Sequence, residues 1–168
     1  MSALAPKPAS YSVVETAHLL LPGDANSLGA AFGGSVIGWI DIAAAISAQR
    51  HCRQIVVTAS MDELHFHAPI KVGWTAILKA RVLAAFTSSM EVGVTVHSEN
   101  PLTGERALTT SALLTFVALD KDGQRVGVPS LLLTSPAEKI ANAEAQARRK
   151  DRLARRAEGA SWPALVTG

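Results

Sequence analysis

The sequence holds little that would suit an oxidising compartment, a bilayer or a nucleic acid. It has one cysteine, Cys52, so no intramolecular disulfide can form, and the thiol reads as a packing residue. The start MSALAPKPAS lacks the charged leader and apolar core of a secretion signal. Both absences point to a reducing cytoplasm. The longest apolar run is interrupted by Asp41 and falls short of the ~20 residues that a membrane-spanning helix needs. The formal charge is only +2, and the basic residues crowd toward the C-terminus with no aromatic side chain among them, which argues against nucleic acid. No G-x-S-x-G elbow is present, so a serine hydrolase of that type is not expected. The five histidines include His65 and His67, two apart on one strand face, without a recognised zinc spacing. No metal is expected.

What the chain does have is apolar mass. Its 168 residues are 48% hydrophobic, enough for one packed core and too few for two ordinary domains. Ser12 to Leu21 reads as a strand ending at Pro22-Gly23, and GDANSLG follows as a loop. From Gly34 to about Arg50 there is no proline and much alanine, which predicts a helix. Its wheel has no continuous polar face before the last turn, so it is expected to be buried all round. Four strand-like segments follow: QIVVTASMDELHF, TAILKARVLAAF, SMEVGVTVHSE and RALTTSALLTFVALD. In the third, Met90, Val92, Val94 and Val96 alternate with Glu91, Gly93 and Thr95, the pattern of a strand with one face on the core. Short turns between the segments favour antiparallel connections. The expected class is α+β, a largely antiparallel sheet curling round one long helix.

After Pro129, Ser135 and Glu138 form a capping-box pattern with Pro136 at the first helical position, which predicts a second helix. It ends in RRKDRLARR, read either as a solvated terminal helix or as a contact for an anionic partner such as a phosphorylated cofactor. The expected organisation is a flexible leader over 1–11, one domain over 12–134, the basic helix over 135–158 and a tail over 159–168. Asp41 is the residue the pattern leaves unexplained. Gly34, Gly38, Ala45 and Cys52 share its face and are small, and no basic residue lies one turn away. A buried carboxylate with no partner is costly. Either it accepts hydrogen bonds from a neighbouring subunit and fixes packing, or the small face walls a cleft in which it holds a water or a reacting group. Gly33 and Gly34 open the helix and offer free amides for an oxyanion. Asp41, two turns further on, could then present water to an acyl carbonyl there. Asn26 is an ordinary turn residue, or an amide donor.

The stretches PGDANSLGAAFGG (22–34), WID (39–41), RHC (50–52), VTASMD (57–62) with FHAPI (66–70), TSSMEV (87–92), TFVAL (115–119) and Val128-Pro129 resemble, in order and spacing, the hotdog-fold acyl-CoA thioesterases, in particular the cytosolic acyl-CoA hydrolases of bacteria and animals. The resemblance covers most of Val13 to Pro129. It implies a curved antiparallel sheet round a central helix, and dimers joined edge to edge and often assembled into hexamers, with active sites at the interface. It implies hydrolysis of fatty acyl-CoA to free acid and coenzyme A, with no cofactor beyond the coenzyme A of the substrate. Asp41 matches the catalytic carboxylate, as general base or nucleophile, and Asn26 the active-site asparagine, facing an Asp41 of the other subunit. Thr58 would lie near the reacting centre, and Ser88 and Ser89 in a coenzyme A contact. Trp74 departs from the small polar or acidic residue usual after Gly73. The rival readings are a hotdog dehydratase, for which the helix lacks a suitably placed histidine, and an acyl-CoA-binding regulator, for which no DNA-binding segment is visible. Trp39, Met61 and Phe66 either line an acyl tunnel or belong to the core.

Overall fold

Period-two alternation and a proline-free alanine run meet in one sheet and one helix. The computed structural model describes residues 4–157 of the chain. Its elements run in the order β1 (Lys7–Pro8), β2 (Val14–Leu19), α1 (Gly33–Cys52), β3 (Ile55–Phe66), β4 (Thr75–Ala85), β5 (Ser89–Glu99), β6 (Arg106–Leu119), β7 (Leu131–Leu132) and α2 (Pro136–Ala157). Five of the strands form an antiparallel sheet in the order β2-β4-β5-β6-β3. The expected α+β hotdog architecture is what the chain adopts, with the sheet curved against α1. β3 closes one edge of the sheet and is interrupted by register shifts between Thr58 and Ser60 and between Met61 and Glu63, which bend and twist it.

The core lies between α1 and the inner sheet face. Val36, Ile40, Ala43, Ala44 and Ala48 of the helix pack with Leu78, Val82, Met90, Val92, Leu114 and Phe116 of the strands, all buried. The alternating residues of β5 meet α1 as predicted. The helix is not wrapped all round, however. Gly34, Gly38, Ile42 and Gln49 are exposed on the face turned away from the sheet, because one curved sheet covers only one side of a helix. α1 ends at Arg53, whose left-handed backbone (φ 58) turns its N–H onto the Gln49 carbonyl.

Within the leader expected to be flexible over 1–11, residues 7–11 are held to the body of the protein. Lys7 and Pro8 pair in parallel with Leu131 and Leu132. The Lys7 ammonium donates to the His51 carbonyl at 2.7 Å, placing a positive charge at the negative end of α1. Ala9 and Ser12 are buried, and the Ser12 hydroxyl accepts the Val82 N–H at 2.9 Å. His51 is itself buried, with Nε2 2.8 Å from the Pro129 carbonyl oxygen; burial lowers its pKa against the effect of that contact. Burial raises the pKa of Cys52, as befits a packing thiol. Trp74 is half-buried against the core with the Lys71 ammonium 5.3 Å from its ring centre.

α2 crosses the outer sheet face, so Glu91, on the polar side of the β5 alternation, is fully buried. Arg148 donates to its Oε1 through Nε at 3.0 Å and Nη2 at 2.6 Å, and Arg152 pairs with Asp62 of β3. The basic run is therefore partly committed to the sheet. The tail over 159–168 lies outside the described residues.

The helix begins with the capping box read from the sequence. The Ser135 Oγ accepts the Glu138 N–H at 3.2 Å, and Glu138 Oε2 accepts the Ser135 N–H at 3.2 Å. The Thr134 N–H, at 2.7 Å, and the Thr134 hydroxyl also donate to that carboxylate and bring its pKa down to about 2 from the ordinary 4.5. A carboxyl depressed in the folded state stabilises it above pH 4.5 and loses that contribution as pH falls toward 2. Glu138→Gln should therefore lower stability at pH 7 and flatten the fall in stability between pH 4.5 and 2, measured by urea denaturation across that range.

Candidate active site

The partner that Asp41 lacks on its own helix comes from β3. The Thr58 hydroxyl donates to Asp41 Oδ1 at 2.7 Å. Thr58 lies opposite Phe116 just before the first register shift of β3, where the strand bends next to the middle of α1. The second carboxylate oxygen accepts no hydrogen bond from the described residues. The site is open: Asp41 is half-buried and Thr58 exposed.

The start of α1 is a separate place. Phe32 occupies the N-cap with no side-chain cap, and its carbonyl accepts the amides of Ser35 and Val36. The N–H groups of Gly33 and Gly34 have no acceptor among the described residues. A Cβ on Gly34 would lie 3.1 Å from the Phe32 ring, a tight contact that glycine avoids, and one on Gly33 an ordinary 3.6 Å from Phe66. Asn26 stands beside them. Its Oδ1 accepts the Leu28 and Ala30 amides at 2.9 and 3.3 Å, an Asx turn that leaves the Nδ2 donors without an acceptor among the described residues. Asn26, Gly33, Phe66, His67 and Ile70 line a concavity of about 390 Å³.

Within a single chain the Asp41 carboxylate is too far from the helix start to attack a carbonyl held there directly. At 1.5 Å per residue the eight-residue step from Gly33 to Asp41 spans about 12 Å, whereas an oxyanion donor and the attacking group must both approach the reacting carbon to ~3 Å. The structure thus joins Asp41 to Thr58, and Asn26 to Gly33, and keeps the two groups apart. Ser88 and Ser89 form a third group at the β4–β5 turn, half-buried, in a concavity lined also by Ala59, Ser60, Arg125, Arg149 and Arg152. The arginines were legible as charge, but their convergence on the two serines was not.

Other polar residues have structural partners. His18 stacks on Trp39 with ring centres 4.9 Å apart, and His65 on His67 at 6.2 Å. Trp39 and Met61 are half-buried against the core, while Phe66 is exposed at the mouth of the Asn26 concavity. Among the described residues no three His, Cys, Asp or Glu side chains converge as a metal set, and no helix is long and apolar enough to cross a membrane.

A curved sheet round a helix, carrying a carboxylate in mid-helix and free amides at its start, is the framework of a thioesterase, and the thioesterase superfamily model matches residues 28–105. An uncharacterized acyl-CoA thioester hydrolase of Bacillus subtilis is 42% identical over 86% of this chain and 83% of its own length. The human cytosolic acyl coenzyme A thioester hydrolase is 33% identical over 80% of the chain, which spans 36% of that longer protein. A hexameric acyl-CoA thioesterase crystal structure superposes with a TM-score of 0.87 at 41% identity, covering 92% of this chain and 99% of the other. The Staphylococcus aureus acyl-CoA hydrolase, solved with butyryl coenzyme A and coenzyme A, gives 0.84 at 37% identity, with 91% and 94% covered. The chain belongs to the acyl-CoA thioester hydrolases of the thioesterase superfamily.

The bare strip of α1 gives a direct test of whether another surface packs there. A Cβ on Gly38 meets no atom within 4 Å in the single chain, so Gly38→Ala should raise stability by about 0.5–1 kcal/mol through lower backbone entropy if the strip stays exposed. Urea denaturation at several protein concentrations reads this. A loss that grows with protein concentration instead reports a neighbouring copy pressed against Gly38.

Proposed function

We propose that this protein hydrolyses fatty acyl-CoA to free acid and coenzyme A at a site shared between two copies of the chain. Asp41 activates water as general base, or attacks the thioester carbonyl directly. Asn26 and the amides of Gly33 or Gly34 from the other copy hold the carbonyl oxygen and stabilise the oxyanion. The observation that carries this reading is the Thr58–Asp41 hydrogen bond, which orients one carboxylate oxygen and leaves the other for water. The reaction needs no metal and no cofactor beyond the coenzyme A of the ester.

The 12 Å step along α1 and the edge strand support a division between two copies. β3 leaves Ile55, Val57 and Phe66 exposed, and the N-cap Phe32 and Ile42 of α1 are exposed too. A long unpaired edge of this kind is a template for another strand, and a closed pair uses the same patch on both copies. A two-fold axis near the middle of β3 sets the Thr58 end of one copy beside the Phe66 end of the other, where Asn26 and Gly33 lie. The hexameric state of two solved relatives supports further assembly as a trimer of dimers. The Staphylococcus aureus enzyme has been solved as alanine variants of an asparagine, an aspartate and a threonine. Their spacings, fifteen and seventeen residues, equal those from Asn26 to Asp41 and from Asp41 to Thr58.

Coenzyme A release from a panel of short to long acyl-CoAs tests the reading, with reporter background from Cys52 subtracted. Asp41→Asn should lower kcat by roughly 10²–10⁴-fold with the fold intact. Thr58→Ala should cost about tenfold, the weight of one hydrogen bond to a charged group, and Thr58→Ser should restore most of it. Near-normal turnover by folded Asp41→Asn overturns the mechanism. Binding of acyl-CoA without thiol release by the wild type would instead support the regulator reading.

A further inference from the structure

The C-terminal end of α1 is closed by β1 and by the segment leading into β7, and a buried histidine lies between them. His51 has no exposed surface and takes no part in the chemistry proposed for Asp41 and Asn26. Its Nε2 lies 2.8 Å from the Pro129 carbonyl oxygen. A carbonyl can only accept, so Nε2 carries the hydrogen and the neutral ring keeps its lone pair on Nδ1. Nδ1 is buried with no hydrogen-bond partner among the described residues. The next carbonyl, that of Ser130, accepts the Lys7 N–H at 2.9 Å beside the β1–β7 pairing. The Lys7 ammonium reaches back to the His51 carbonyl at 2.7 Å. Helix end, first strand and the approach to β7 thus form one closed set of contacts around the ring.

These surroundings suit the neutral ring alone. A second proton would go to Nδ1, where no acceptor waits, and would leave a cation in a buried site. Lys7 is the charge that acts on the ring, and it repels that cation; no carboxylate among the described residues acts to offset it. Cys52, next in the chain, is kept as the neutral thiol by burial. Arg50 reaches away to the Val13 carbonyl, and Arg53 is exposed. Ala9 and Ser12, in the turn that follows β1 and packs on α1, are buried as well. Hydrating the ring therefore requires Lys7–Ser12 or Pro129 to move away. We propose that His51 makes the β1–β7 pairing an acid-sensitive clasp, closed over the neutral ring and released when Nδ1 takes a proton. Burial holds the folded ring below the ordinary 6.5, so the clasp is fully closed above that pH and loses stability as pH falls beneath it. The release is local, because the five-stranded sheet uses neither β1 nor β7 in its pairing.

Amide hydrogen exchange on the full chain, resolved by peptide and normalised to the intrinsic rate at each pH, reads the clasp without any substrate. Its outcome is therefore separate from that of the hydrolase reading. Protection of the peptides holding Lys7–Ser12 and Leu131–Leu132 should fall roughly 10- to 30-fold from pH 7.5 to 5.0, the limit set by an open-state histidine near 6.5. Peptides from β5 should keep their protection. His51→Gln, which retains an amide donor toward the Pro129 carbonyl and does not titrate, should abolish the fall. Deuterium exchange at the imidazole C2 of the wild type reads the protonation of His51 directly and needs no variant to fold. The ring should stay neutral to below about pH 5.5. Lys7→Gln should move that titration upward and shrink the loss of protection, because it removes the cation facing the ring. Protection independent of pH in the wild type, an equal fall in His51→Gln, or titration of His51 near 6.5 with the clasp still protected overturns the proposal.

Discussion

The rise of an α-helix from Gly33 to Asp41, about 12 Å over eight residues, governs how this protein can work. The free amides that suit an oxyanion and the carboxylate that suits a base sit on one rigid rod, too far apart for the carboxylate itself to touch a carbonyl held at the amides. The fold answers with a second constraint. β3 leaves the sheet with an unpaired edge carrying Thr58 near one end and Phe66 at the other, and this edge is the natural place for a second copy. In the proposed arrangement the two halves of the chemistry, Asp41 with Thr58 and Asn26 with Gly33, meet only across that edge. Catalysis and assembly are then one requirement, and the small residues Gly34 and Gly38 on the bare side of α1 leave room for the ligand between them.

The outer face of the sheet is organised by charge. Glu91 is fully buried and held by Arg148, and Asp62 is held by Arg152. Removing one member of such a set would strand a charge in low dielectric. Both arginines stand one turn apart on α2, so the helix is pinned at the point where β3 bulges. The same turn carries Arg149, whose guanidinium lies 4.4 Å from the centre of the Phe86 ring. The basic helix terminus is thereby attached to the sheet by three of its arginines.

How much of this was legible depended on the sequence distance over which each feature is decided. The alternation in β5 and the alanine-rich run of α1 are local patterns; the first correctly indicates which face meets the core and the second correctly marks a helix. The capping box at Ser135 and Glu138 is local too. Asp41 looked partnerless because its donor, Thr58, is seventeen residues away across a helix end and a strand bulge. Glu91 looked solvent-facing because the arginine that buries it is 57 residues downstream. The leader over 1–11 looked loose because the carbonyl that captures Lys7 belongs to His51. The helix wheel of α1 was uniformly apolar, yet one sheet covers only one side of it; the composition of the bare side suits a surface that the single chain does not provide. The family resemblance supplied Thr58, Ser88 and Ser89 as site residues where the residue pattern by itself had no means of choosing them.

Subunit complementation tests the central claim of a site split between copies most directly. Asp41→Asn and Asn26→Ala proteins, each inactive alone, are mixed and allowed to exchange subunits, and thioester hydrolysis is followed. A mixed pair holds one site with both substitutions and one with neither. Random exchange should therefore restore about a quarter of the wild-type activity per site, from two proteins that show almost none, by the isologous geometry of a two-fold pair. No recovery after verified exchange would place Asp41 and Asn26 in the same site of one chain and contradict the account.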